Sequence, residues 1–252
     1  MPQDTFEIAV PEDIDPGQTL LVGLSNPGMA GVTAADYLVR HLDSEKIGHI
    51  TPEELPAITP FEDGKPRHHT RLYNLTEIDL TVLVGELFVP VWAARPFTDA
   101  LIEWISTNRI EEVVLFHGVP FPHGPEEHAV FYVASNAYRE RRLGETDLLP
   151  LRGGFLDGVA GELTSKSIDG EIPPVGVYVT PTHPPGPDID AAFRFFDAIE
   201  AIYGVEVDRT DLEQQSEELK EYYANLAERM AGLEDEAQQS RNREYPEDRM
   251  YM

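Results

Sequence analysis

The chain has 252 residues, 46 acidic against 19 basic, a formal charge of −27 and no cysteine. A surface that negative repels nucleic acid and anionic membrane, and the lack of thiols excludes disulfides and thiolate metal sites. Lysine occurs only at Lys46, Lys65, Lys166 and Lys220; acid-rich, lysine-poor composition suits a cytoplasm of very high salt, where screening removes most self-repulsion, and so points to a halophile.

Phe6 to Val10 alternates as a first strand, and Pro11 to Gln18 is an acidic turn. The chain is organised around the next stretch, LLVGLSNPGMAGVTAADYLVRHL, from Leu20 to Leu42. Leu20-Leu21-Val22 is an apolar run too short for a buried helix and reads as a buried strand. Gly23 to Gly28 is turn-rich. From Met29 the period becomes helical, with Met29, Val32, Ala35 or Asp36, Val39 and Leu42 on one face. A glycine loop ahead of a helix can hold an anion, but Gly23, Gly28 and Gly31 match neither the dinucleotide fingerprint nor a Walker loop. Ser25 follows the strand as a hydrolase nucleophile would, yet the second glycine of a nucleophile elbow is missing. The simpler reading is a tight turn, with Gly31 letting the helix lie close to the sheet.

Ile47 to Ile50 reads as a short strand, followed by a proline-punctuated loop to Arg67. Thr70–Leu75 and Leu80–Gly85, joined by a turn within Asn74–Asp79, predict a hairpin. Pro96 suits the first position of a helix whose apolar face is Phe97, Leu101, Ile102 and Ile105. Glu112–Phe116 and Val130–Ala134 follow as strands. The Gly-rich stretch Gly153–Glu162 predicts a helix packed closely on a neighbour, and Val175–Thr180 is a last strand. Asp188 or Asp190 then caps a helix with Phe193, Phe196, Ile199 and Ile202 facing inward, ended by Gly204.

Strands alternating with helices predict a three-layer αβα domain with a mostly parallel central sheet. Residues 1–207 form one core domain, 208–238 a C-terminal helix attached to it, and 239–252 a flexible tail. In that helix Leu212, Leu219, Leu226 and Leu233 repeat every seven residues, with Ser216, Tyr223, Met230 and Ala237 at the companion positions. Ser216 and Ala237 make a weak coiled-coil seam, so packing on the core or within an oligomer is an equal alternative. Glu234 to Arg249 is polar, carries both charge signs and contains Pro246, which predicts a disordered tether.

The start, with Asp4 and Glu7 and no basic region, is unlike a signal peptide. The run Thr81–Ala94 is too short and too interrupted to span a bilayer. The expectation is a soluble, cytoplasmic protein.

His117, His123 and His128, with Glu126 and Glu127, crowd the loop after Glu112–Phe116, a place where α/β enzymes keep their sites. Their spacing matches no metal motif, and Pro120, Pro122 and Pro125 make a rigid surface loop the simpler reading. His68-His69, and His183 between prolines, are weaker signals still. No catalytic residue, cofactor or metal ligand set is assigned. The sequence ends Met250-Tyr251-Met252, the hydrophobic–tyrosine–any residue pattern by which proteasomal regulators dock on the core particle.

The opening Leu20–Leu42 stretch resembles the corresponding segment of the proteasome assembly chaperone family, the group related to eukaryotic assembly chaperone 2. So do Thr81–Thr107, Gly153–Glu162 and PDIDAAFRFFDAIEAIYGVEVDRTDL from Pro187 to Leu212. Where family members often carry a further glycine, this chain has Asn26. The resemblance implies a nucleoside-phosphorylase-like α/β fold, homo-oligomers and, in archaeal members, ATP-independent binding to core proteasome α subunits. It places Tyr251 and the carboxylate of Met252 in a pocket between neighbouring α subunits, where a lysine pairs with the carboxylate, and gives Met250 an apolar contact. The rival reading is a phosphorylase- or hydrolase-like enzyme using the Gly23–Gly31 and His117–His128 loops.

Overall fold

A computed structural model describes residues 6–52, 55, 58–121, 123–124, 127–183, 187–209, 218 and 220–229. In chain order the elements are β1 (Phe6–Ala9), β2 (Thr19–Leu24), α1 (Ala30–His41), β3 (Ser44–Pro52), β4 (Phe61–Glu62), β5 (Lys65–Pro66), β6 (Thr70–Leu75) and β7 (Leu80–Gly85). There follow α2 (Val91–Thr107), β8 (Glu112–Val119), β9 (Phe131–Ala134), α3 (Asn136–Tyr138, continued by a π-helical turn), β10 (Leu149–Pro150), α4 (Gly158–Ile168), β11 (Val175–Pro181) and α5 (Ile189–Tyr203). Residues 220–229 form a further helix, α6.

Nine strands make one sheet in the order β1-β3-β6-β7-β2-β8-β11-β9-β10. The central four, β7, β2, β8 and β11, run parallel. Buried on both faces, they read as unbroken apolar runs such as LTVLVG and VGVYVTP, as parallel strands under helices must. One wing is the antiparallel set β1, β3 and β6; on the other side β9 lies antiparallel to β11. The domain is therefore three-layered, with a parallel centre and antiparallel wings.

Two apolar cores fill the spaces between layers. One joins α1, α5 and α6 to the sheet through Val82, Val114, Phe116, Phe195 and Leu226. The other joins α2 and α4 to the opposite face through Leu83, Leu101, Val113, Leu163 and Val177. Helix α1 is buried from Ala30 to Val39, because the backbone of its first turn lies against β8. A Cβ on Gly31 would stand 2.5 Å from the Phe116 carbonyl oxygen, and one on Gly23 would stand 2.2 Å from Ala35 Cβ. Those glycines set the distance between helix and sheet.

The expected hairpin β6–β7 forms, with Leu75 facing Leu80. Asp188 caps α5 by accepting the Ala191 N–H at 2.9 Å, and Gly204 ends it in the left-handed region. The inward face of α5 includes Phe195, stacked on Phe116 at 4.5 Å between ring centroids, besides Phe196 and Ile199; Phe193 and Ile202 are only partly buried.

Other expectations need correction. Pro96 does not open a helix: α2 begins at Val91 behind Pro90, and Pro96 lies inside it. The extended Pro90 is the true boundary, and Pro96 merely withholds one N–H from the helix ladder. The loop before Arg67 contains a two-residue hairpin, β4–β5, turned by Asp63-Gly64 with both φ values positive, the conformation that Asp-Gly favours. Strand β3 runs well beyond Ile47–Ile50. In α6, Tyr223 and Leu226 are buried in the core under α1, so this part of the heptad pattern packs on the domain. Leu212, Leu219 and Leu233 lie outside the described residues.

Candidate functional site

The loop after β2 and the end of β8 open a cleft of about 330 Å³ on the α2/α4 face, lined among others by Ser25, Asn26, His117, Val91, Asp157 and Gly158. It lies at the carboxyl ends of β2 and β8, where open α/β sheets bind ligands. His117 belongs to the strand, not to the loop beyond it. Its Nδ1 accepts from the Asn26 amide at 3.2 Å, which leaves the ring proton on Nε2. Burial lowers the His117 pKa, opposed by the Asp157 carboxylate. Ser25 donates its backbone N–H to the Gly85 carbonyl at 2.9 Å, while its buried hydroxyl has no hydrogen-bond partner among the described residues. A nucleophilic serine needs a base within hydrogen-bond reach. No such relay stands assembled here.

The loops beyond β8 and β11 bring a different set of histidines together. One ring nitrogen from each of His123, His128 and His183 lies within 4.8 Å of the others. His117 is committed to Asn26, and Glu126 lies outside the described residues. The weak signal at His183 gains its partners through topology: β8 and β11 are parallel neighbours, with Val119 facing Pro181, so their following loops emerge side by side.

On the α1 side, three arginines and three carboxylates form a network to which the C-terminal helix is joined through Arg67 and Glu86. Arg71 reaches Asp36 at 3.2 Å and Glu86 at 3.1 Å. Arg67 reaches Glu86 at 2.6 Å, and Arg40 bridges Asp36 and Glu62 at 2.7 Å each. From α6 the Tyr222 hydroxyl enters this network, accepting from Arg67 at 2.8 Å and donating to Glu86 at 2.9 Å. Burial alone would lower the Arg67 pKa, but hydrogen bonding and charge from Glu86 raise it above the ordinary value. Burial and the Glu86 charge together raise that of Tyr222. Fully enclosed charges are tolerated only when paired in this way. Asp36 sits on the helical stripe that the sequence marks as apolar, and Glu86 is one of the residues that interrupt the run Thr81–Ala94.

Met250, Tyr251 and Met252, the expected partner-binding residues, lie outside the described residues, as does all of 230–252. No helix among the described residues is long and apolar enough to cross a membrane.

This is a three-layer α/β domain with a parallel centre, a ligand-sized cleft at its strand ends and a C-terminal helix locked to one face. Residues 20–227 match the PAC2 family, and the chain belongs to it. Among solved structures, it is similar to Pyrococcus furiosus PbaA, an archaeal homologue of proteasome-assembly chaperone, with a TM-score of 0.78 and 18% identity over 90% of this chain and 98% of that one. A protein with unknown function from Thermoplasma acidophilum gives 0.75 at 25% identity, covering 91% of each chain. Pyrococcus furiosus PbaB, an archaeal proteasome activator, gives 0.71 at 19% identity over 87% of this chain and 98% of that one. No curated protein matches the chain.

Proposed function

We propose that the chain is an ATP-independent proteasome assembly chaperone or activator homologue from a haloarchaeon, docking on the core proteasome α-ring through its C-terminal tail. Support comes from PAC2 membership and from a fold shared with PbaA and PbaB. The observation that carries the docking reading is the seating of α6. Tyr222 and Tyr223 fix the helix to the core, a firm base for a docking element that follows it in sequence. In this reading Glu234–Arg249 serves as a tether, and about 16 flexible residues have a root-mean-square reach on the order of 20 Å. Tyr251 supplies the aromatic anchor, the Met252 carboxylate the charge for a pocket lysine, and Met250 apolar contact.

In this reading the protein is cytoplasmic, works without cofactor, and assembles as a closed homo-oligomer that presents several tails. Each docking after the first is then intramolecular, which converts weak single contacts into avidity. The apolar face of α2 is spent inside the protomer, with Phe97, Leu101 and Ile105 buried. Val91, Phe155 and Ile168 are among the exposed apolar side chains that contact between copies would use.

The test is capture of core α subunits at high salt by the full chain, by a chain lacking Met250–Met252, and by Tyr251→Ala. Truncation or Tyr251→Ala should weaken capture by about tenfold or more. Equal capture by all three would remove the tail from the account, and no capture by the full chain would remove the proteasome.

The cleft favours a second reading, an enzyme acting on a small molecule through the Gly23–Gly31 and His117–His128 loops. An esterase or phosphorylase activity abolished by Ser25→Ala would establish it. The unpartnered Ser25 hydroxyl is the reason the binding role is preferred.

A further inference from the structure

We infer that His123, His128 and His183 form a binding site for a divalent transition metal of the zinc type, joining the loop after β8 to the connection between β11 and α5. The three rings stand as a triangle, with centroids 4.8 Å (His123–His128), 4.9 Å (His123–His183) and 5.2 Å (His128–His183) apart.

Two of the imidazoles are already set in the tautomer a metal needs. His123 Nδ1 lies 2.6 Å from the Phe121 carbonyl oxygen, which can only accept, so Nδ1 carries the proton and Nε2 keeps its lone pair. That Nε2 is enclosed and has no hydrogen-bond partner among the described residues. His183 Nδ1 lies 2.8 Å from Asp188 Oδ2, a carboxylate–histidine pair of the kind that orients metal ligands and raises their basicity.

The donor set selects the ion. Three neutral imidazoles suit Zn²⁺, Ni²⁺ or Cu²⁺, whereas Mg²⁺ and Ca²⁺ require oxygen. Tetrahedral zinc with Zn–N near 2.0–2.1 Å holds its nitrogens about 3.4 Å apart, closer than the 4.8 Å within which ring nitrogens of the three histidines lie, so the rings must draw in on binding. His128 and His183 are exposed, and rotation about their side-chain bonds supplies that movement. Three protein ligands leave a fourth position for water or for a donor from a partner. The site is independent of the proteasome reading and stands or falls without it.

The experiment uses the full-length, tag-free chain, stripped with chelator and titrated with Zn²⁺ alone by calorimetry at high salt, with Co²⁺ absorption as the coordination readout. One ion per chain is expected, with a tetrahedral Co²⁺ spectrum and a rise in Tm. His123→Ala combined with His183→Ala should abolish all three signals while leaving the metal-free Tm near that of the parent. Asp188→Asn keeps a good helix cap but removes the carboxylate, and should weaken Zn²⁺ on the order of 10–100-fold. His49→Ala with His68→Ala, a stacked pair elsewhere in the fold, should change nothing. No stoichiometric binding by the parent, or binding that survives loss of His123 and His183, overturns the site.

Discussion

Tyr222 and Tyr223 are consecutive residues whose hydroxyls have opposite surroundings. Tyr222 Oη lies 2.9 Å from Glu86 and 2.8 Å from Arg67, whereas the Tyr223 hydroxyl is buried with no hydrogen-bond partner among the described residues. A hydrogen bond to a charged group contributes about 1.5–3 kcal/mol, and an unsatisfied buried hydroxyl costs about 1–3 kcal/mol. Tyr222→Phe should therefore lower the unfolding free energy by about 2 kcal/mol, and Tyr223→Phe should leave it unchanged or raise it. Urea unfolding at one fixed high salt concentration measures both; similar losses from the two would refute the assignment.

Glu86→Ala leaves Arg67 and Arg71 without their shared carboxylate in the interior. Breaking a buried pair from one side costs about 3–5 kcal/mol. The more exposed pair of Arg209 and Asp197 should give less than about 1 kcal/mol on Arg209→Ala. Repeating both measurements in rising KCl should shrink only the second effect, because buried pairs are screened much less.

Gly31→Ala puts a methyl group against the Phe116 carbonyl and forces α1 off the sheet, at about 1–3 kcal/mol. Gly144 has open space where a Cβ would go and an ordinary helical φ of −65°, so Gly144→Ala should be neutral or slightly stabilising. Thermal unfolding of the two variants separates crowding from a general intolerance of replaced glycine.

Acid should destabilise the protein through His69. Burial, then the charges of His68 and Arg71, lower its pKa to about 4, against about 6.5 in an unfolded chain. Between these values the unfolded state takes up a proton that the folded state does not. The His69 contribution is thus intact above about pH 6.5 and falls as pH drops toward 4, by a total on the order of 3 kcal/mol. His69→Gln should flatten the stability profile across that window; an unchanged slope would assign it to other groups.

Light scattering at high salt tests the proposed assembly. A closed homo-oligomer is expected there, with dissociation at low ionic strength, where a charge of −27 repels itself. A clean monomer at high salt would contradict it.

The alternation of strands and helices was legible because the period-two and 3.6-residue signals fell on unbroken stretches. Leu20–Val22, the Thr70–Gly85 hairpin and the Asp188-to-Gly204 helix each carried their own boundaries. Pro96 misled because a proline can sit inside a helix as well as start one, and local sequence does not distinguish the two. Asp63-Gly64 is a turn signal, but the strands beside it are only two residues long and carry no period of their own. The charge network was not readable: Asp36, Arg71, Glu86 and Tyr222 have no common spacing, and only the neighbouring positions of α1, β6, β7 and α6 unite them. The histidine triangle was half readable. His123 and His128 share a loop, but His183 joins them because β11 lies beside β8, a pairing fixed by the whole sheet.

The buried centre of the arginine–carboxylate network divides the molecule's electrostatics between two environments. In molar salt the Debye length falls to about 3 Å, so the acidic exterior cannot steer a partner from afar. Approach is then governed by diffusion and by fit at contact. Arg71, Glu86 and Asp36, almost without access to solvent, experience little of that brine, and the seat of α6 keeps its geometry whatever the ionic strength outside. At such salt the molecule is electrostatically mute at long range, while its C-terminal helix stays packed on a seat that screening hardly reaches.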